Sequence, residues 1–169
     1  MESSFENIRL SRNRLATIWG AASLLTVLLN SMHDLLTMKD WSSYQWDYVI
    51  NLSESDFPVK SLERLELFLT ANRRMNFLKS HGQDTQRFIA KQGLDRLFYE
   101  CDEHMWRLGR RSLPTGIRLD GGSDWIALTR EFASYVTFAN NTLLRGLRQF
   151  YNHTLLPAEV SLMMPQKHV

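Results

Sequence analysis

The sequence predicts an α/β layered domain built on a largely parallel sheet. Short apolar runs of strand character alternate along the chain with stripes of apolar residues at three- and four-residue spacing, the pattern of strands separated by amphipathic helices. The chain has 169 residues, 44% apolar and 11% aromatic, which is enough to bury one core of ordinary size. A lone Cys101 excludes an intrachain disulfide and any zinc site made of several cysteines, a usage that by itself looks cytosolic, which the glycosylation triplets below argue against.

The elements follow in order. Asn7 to Ser11, NIRLS, has the alternation of a short strand. Ala21 to Met38 carries Leu24, Leu25, Leu28, Leu29, Met32, Leu35 and Leu36 on one helical stripe. Trp46 to Leu52 is a nearly unbroken apolar run, expected as an inner parallel strand covered on both faces. Pro58 and Ser61 introduce a second helix, Leu62 to Ala71, and NFLKS, 76–80, reads as another strand. A polar stretch then runs to Gln92, followed by DRLFYECDEHMWRL. Asp120-Gly121-Gly122-Ser123 is turn chemistry, Trp125 to Leu128 reads as a buried strand, and Thr129 caps a helix through Val136. No internal repeat, linker or low-complexity tract interrupts the chain.

Charge excludes some classes of partner. Lys and Arg number 20 against 18 Asp and Glu, a formal charge of +2 that gives no footprint for nucleic acid. Arg73, Arg74, Arg107, Arg110 and Arg111 are offset by acids and sit in no nucleic-acid motif. The longest apolar stretch, Ile18 to Leu29, is too short to span a bilayer, and Met1 leads into polar ESSFENIRLSRNR, so any secretory address or membrane anchor is expected outside this stretch. Asn51-Leu52-Ser53, Asn140-Asn141-Thr142 and Asn152-His153-Thr154 match the N-glycosylation triplet, and a strand at Asn51 leaves at best two usable.

Ligands of parallel α/β sheets bind beyond the carboxyl ends of the strands. That places Ser53, Glu54 and Asp56, directly after the apolar run, and Asp124, at a turn-to-strand junction, near the rim of the sheet. Asp56 and Asp124 could equally order their own turns. Pro157 suits the first turn of a helix and leaves Glu159 near its positive end, where a carboxylate stays ionised as a general base requires; plain capping is the alternative. Glu100 to His104, ECDEH, reads as structural or solvent-facing polar residues rather than a ligand cluster.

RLATIWGAASLL, WDYVINLSESDFPVKS, MNFLKSHG, FIAKQGLDRLFYECDEHMWRLG, DGGSDW and QFYNHTLLPAE together resemble the peptide O-xylosyltransferases, a branch of the core-2/I-branching glycosyltransferases. The INLS core is shared with the wider family, while KSHG and the long KQGLDRLF segment carry the likeness to the xylosyltransferase branch. The resemblance runs from about Arg14 to Glu159. It implies a GT-A-like domain, a Rossmann-like layered sheet incomplete at both ends, that transfers xylose from UDP-xylose to a serine of a proteoglycan core protein with inversion, starting heparan or chondroitin sulfate chains. By position, Thr17, Ile18 and Trp19 resemble the nucleotide-sugar contact, Asp124 the acid near the bound xylose, and Glu159 the catalytic base. The region of Ser53, Glu54 and Asp56 resembles the side that receives the acceptor peptide. A core tryptophan is the alternative for Trp19.

No cofactor beyond the donor substrate is expected and no metal, because no aspartate here has another two positions away; Asp47 is followed by Tyr48-Val49 and Asp120 by Gly121-Gly122. The resemblance also implies a Golgi or endoplasmic-reticulum lumenal location, with a type II membrane anchor outside this chain. Gly20-Ala21 stands where the family has two glycines, and Arg110 where it has an acid. The whole chain, 1–169, reads as a partial catalytic domain with a divergent tail, 160–169, expected to be inactive alone. A β-1,6-N-acetylglucosaminyltransferase of the same family and a non-catalytic binding module are the competing readings.

Overall fold

In the computed structural model, the described residues are 7–11, 13–38, 46–79, 85–114 and 121–159. Helix α1 spans Ala22–Thr37 and strand β1 spans Tyr48–Ile50. Helix α2, Leu62–Ala71, and helix α3, Thr85–Gln92, precede the strands β2, Arg96–Cys101, and β3, His104–Arg110. Strand β4, Ala127–Thr129, runs straight into helix α4, Arg130–Phe138; helix α5, Thr142–Tyr151, and a 3-10 turn at Pro157–Glu159 close the described chain. The proposed divergent tail at 160–169, Ser80 of NFLKS and Asp120 of the turn lie outside the described residues.

Local chemistry starts these helices as their residue types dictate. Ser61 Oγ accepts from the Arg64 amide, Thr129 Oγ1 from the Phe132 amide, and Asn141 Oδ1 from the Leu144 amide, each satisfying a first-turn N–H that has no partner within its helix. The N-terminus of α1 has no cap of its own at Ala21, and a distant residue supplies one: Glu100 accepts from the Ser23 amide at 3.1 Å and from its hydroxyl at 2.6 Å. The acid in ECDEH thus has a structural role, and it ties the β2–β3 hairpin to the start of α1.

The core has two lobes that share α1 as a wall. Leu25, Leu94, Leu147, Phe150 and Tyr151 form one, and Met32, Ile126, Leu128, Ala133 and Val136 the other, with Leu28 and Leu29 packed against both. Helix α5, which was not anticipated from the sequence, supplies Leu144, Leu147, Phe150 and Tyr151 to buried positions on one face. Arg111 fastens its end. The guanidinium lies 3.7 Å over the Phe150 ring and donates at 2.8 Å to the carbonyls of Leu94 and Phe150 and to Thr154 Oγ1.

The sheet departs from the expected parallel arrangement. β1 pairs antiparallel with β4, with Ile50 opposite Ala127, and β2 and β3 form an antiparallel hairpin; among the described residues no strands pair in parallel. Phe77 bridges Ala127 on the side away from β1, exchanging both backbone bonds at 2.8 and 3.1 Å. The inner strand is therefore β4, where Leu128 is fully buried, and the 46–52 run lies to one side of it with Ile50 and Leu52 exposed. Residues 7–11 form no strand, and the described part of NFLKS contributes the Phe77 bridge rather than a strand. Strand direction depends on which distant segments meet, and apolar runs carry no record of that.

Candidate functional site

Five separate segments converge at the end of β4 that carries Asp124, four through main-chain hydrogen bonds and one through a side chain. The Gly20 carbonyl accepts from the Leu156 amide at 2.8 Å, the Leu156 carbonyl from the Glu159 amide at 3.1 Å, and the Glu159 carbonyl from the Gly122 amide at 2.6 Å. Ser123, next along, donates to the Lys79 carbonyl at 3.0 Å. The fifth segment enters through a side chain: Asn51 Nδ2 donates to the Asp124 carbonyl and Asn51 Oδ1 accepts from the Ile126 amide, both at 2.8 Å. The turns carrying Trp19, Asp124 and Glu159 are thereby joined, although their residues are far apart in sequence.

Steric requirements explain the glycines. Gly20 has φ +78°, the left-handed region that a Cβ disfavours, and it faces Leu156, itself at φ +52°. Gly122 does not need unusual dihedrals. A Cβ there would stand 2.8 Å from the Lys79 carbonyl oxygen, so the residue is glycine because that backbone leaves no room for a side chain. For Gly122, the sequence reading of a device for tight turning is corrected to one of close approach.

The candidate side chains fall into three groups. Trp19 is 83% exposed and takes no part in the core of the described residues; Thr17 is exposed and Ile18 half-buried. Asp124 is exposed, its backbone held by Asn51 and its carboxylate turned to solvent. Glu159 is half-buried in the 3-10 turn, and its Oε2 accepts from Gln92 Nε2 at 3.2 Å. Asp56 Oδ2 accepts from the Ser53 amide at 2.6 Å and Ser53 Oγ lies 3.1 Å from Ser55 Oγ, so Asp56 and Ser53 order their own turn while Glu54 is exposed. An open cavity of about 330 Å³ between β1 and α2, lined by Asp47, Tyr48, Leu65, Glu66 and Arg73 among others, includes none of these candidates. Among the described residues, no group of three or more His, Cys, Asp or Glu could hold a metal ion. No described helix is long and apolar enough to cross a membrane.

A family model for the Core-2/I-Branching enzyme matches residues 1–162. The chain belongs to the Core-2/I-branching enzyme family. Within that family it is similar to Xylosyltransferase oxt of Drosophila pseudoobscura pseudoobscura, at 61% identity over 161 residues, and to Xylosyltransferase oxt of Drosophila melanogaster, at 60% over 161 residues. It is also similar to Xylosyltransferase 2 of Homo sapiens, at 55% over 159 residues. Each comparison covers 94% of this chain and 18% of the relative, so the chain spans under a fifth of the length of the curated relatives it matches.

Two residues that hold the candidate side chains or their backbone in this Core-2/I-branching chain lie outside the set that the sequence singled out. Gln92 was counted in a polar stretch, and nothing local marks it as the partner of a glutamate 67 residues away. Asn51 enters the sequence reading as part of the expected strand, of the INLS core and of a glycosylation triplet, with no role in holding Asp124. Its place as a side-chain amide near the end of the apolar run, where it can mimic a strand's donor and acceptor, is the signal that could have found it.

Proposed function

We propose that this chain carries the base-bearing part of a protein xylosyltransferase that moves xylose from UDP-xylose to a serine of a proteoglycan core protein, on a GT-A-like domain and with inversion at the sugar carbon. The observation that carries the reading is the 55–61% identity to proteins named xylosyltransferases over 94% of the chain. The backbone network joining the Trp19, Asp124 and Glu159 turns supports it, since a donor contact, a sugar contact and a base must act at one place. In this reading Thr17, Ile18 and Trp19 meet the nucleotide sugar, Asp124 accepts a hydrogen bond from a xylose hydroxyl, and Glu54 lies on the acceptor side.

Serine is a poor nucleophile. Glu159 takes the proton from its hydroxyl as the oxygen bonds to C1, while the C1–O bond to UDP breaks on the opposite face. Basic side chains neutralise the departing diphosphate, a role that requires no metal. The reading also gives the protein a lumenal location in the Golgi or endoplasmic reticulum.

The test is made on an active longer form containing this chain. UDP release with a Ser-Gly peptide is expected from UDP-xylose and unaffected by chelator, and Glu159→Gln is expected to lower transfer about 10²–10⁴-fold with UDP-xylose binding retained. Transfer from UDP-N-acetylglucosamine with UDP-xylose ignored would instead establish the sister activity, and normal turnover by Glu159→Gln would remove Glu159 from the mechanism.

A further inference from the structure

The chain contains three Asn-x-Ser/Thr triplets, and the fold treats each differently. At 51–53, Asn51 and Ser53 are both half-buried, and the Asn51 amide holds the Asp124–Ile126 backbone at 2.8 Å on each side. At 152–154, Asn152 is exposed but Thr154 is fully buried, its hydroxyl donating to the Phe150 carbonyl and accepting from Arg111, both at 2.8 Å. At 140–142, Asn140 and Thr142 are both exposed. We propose that Asn140 is an N-glycan acceptor, because its triplet alone keeps both the amide and the hydroxyl residue open once the chain has folded.

The modification is a displacement. The Asn140 Nδ2 forms a bond to C1 of an oligosaccharide carried on a lipid-linked diphosphate, the C1–O bond to the diphosphate breaks, and the amide gives up one proton. The hydroxyl two residues on belongs to the motif that the transferring enzyme recognises. Thr142 opens α5 at an exposed position, so it is available for that recognition both before and after the helix forms.

Topology keeps such a glycan clear of the candidate site. Helix α1 begins beside the Gly20 turn, and His33, 11 residues into it, packs on Phe138 with ring centroids 5.5 Å apart. That separation is about 16 Å along a helix. Phe138 ends α4 two residues before Asn140, and α5 then returns toward the 3-10 turn of Glu159. The 139–141 loop therefore lies at the far end of these helices from Trp19 and Glu159. A sugar on Asn51 would instead sit on the nitrogen that holds Asp124.

The occurrence of this glycan in the native protein rests on the lumenal location proposed above, whereas the experiment does not. The full 169-residue chain is expressed behind a cleavable secretory leader in insect cells, and the glycosylated asparagines of the lumenal and secreted chain are mapped by mass spectrometry after enzymatic deglycosylation. Asn140 is expected to be occupied and Asn51 empty, and Asn140→Gln and Thr142→Ala are each expected to remove the same glycan. An unoccupied Asn140 in lumenal chain, or occupancy of Asn51 in the folded fraction, would overturn the proposal. The readout needs no sugar-transfer activity by the chain, so a failed xylosyltransferase assay beside an occupied Asn140 counts against the proposed function alone.

Discussion

Gln92 donates through Nε2 to the Glu159 carboxylate across 3.2 Å, joining the last residue of α3 to the closing 3-10 turn. Such a bond fixes which way the carboxylate points and leaves its second oxygen for another partner. In an active form of the protein, Gln92→Leu is expected to lower kcat about tenfold, the worth of one hydrogen bond to a charged group, with KM for the donor and the melting temperature nearly unchanged. Gln92→Glu, which sets a like charge against Glu159, is expected to cost more. Steady-state kinetics at saturating peptide make the comparison, and a donor KM that rises while kcat holds would remove Gln92 from the positioning of Glu159.

Asn51→Ala removes a donor to Asp124 and an acceptor to Ile126, and it leaves the amide of a buried residue without its partner. The expected loss is about 2–3 kcal/mol in urea denaturation. Asn51→Asp keeps the acceptor but sets a carboxylate against the Asp124 carbonyl, so it is expected to recover little.

Two glycines should respond in opposite directions. Gly122→Ala places a methyl group 2.8 Å from the backbone oxygen of Lys79, which cannot rotate away as a side chain would, and a loss of roughly 2–4 kcal/mol is expected. Gly146 lies within α5 with nothing inside 4 Å of an added Cβ. Gly146→Ala is expected to gain about 0.5–1 kcal/mol. Paired denaturation curves decide both, and equal tolerance at the two positions would contradict the close approach at Gly122.

Alkaline stability should turn on Tyr151, which is 4% exposed. Burial pushes its phenol above the ordinary range, opposed in part by the Arg111 charge. An unfolded tyrosine ionises near pH 10 while the folded one keeps its proton, so this contribution is complete below about pH 10 and is lost as pH rises further, by up to about 1.4 kcal/mol per pH unit. Arg111, drawn down to about 10 chiefly by burial, works the other way in that window, because the folded state releases its proton first. Melting temperatures of wild type and Tyr151→Phe from pH 9 to 11 separate the two: the variant is expected to lose less stability above pH 10, and parallel curves would show that the phenol does not govern the decline.

Local chemistry was readable where it acts locally. Ser61 and Thr129 cap the helices they were expected to cap, and the leucine stripe of 21–38 became α1. What escaped depends on distant partners: the antiparallel meeting of 48–50 with 127–129, the cap that Glu100 lends to Ser23, and the bond from Gln92 to Glu159. The same distinction holds within the candidate site. Gly122 and Asp124 drew attention through turn chemistry that sequence displays, whereas the reason for Gly122 is the Lys79 carbonyl, a backbone atom that no residue type announces.

The links from Gly20 to Leu156, Leu156 to Glu159, Glu159 to Gly122 and Ser123 to Lys79 run from peptide group to peptide group. Apart from Gly122, which is fixed by lack of space, and Gly20, fixed by its backbone angle, the side chains along this path contribute nothing to those bonds. Trp19 and Asp124 can therefore be exchanged for other residues without slackening the scaffold that presents them. Under the proposed function, in which these two side chains meet the donor, a library randomised at those positions explores donor sugars while inheriting the same frame, so that change of specificity and loss of fold become separable events.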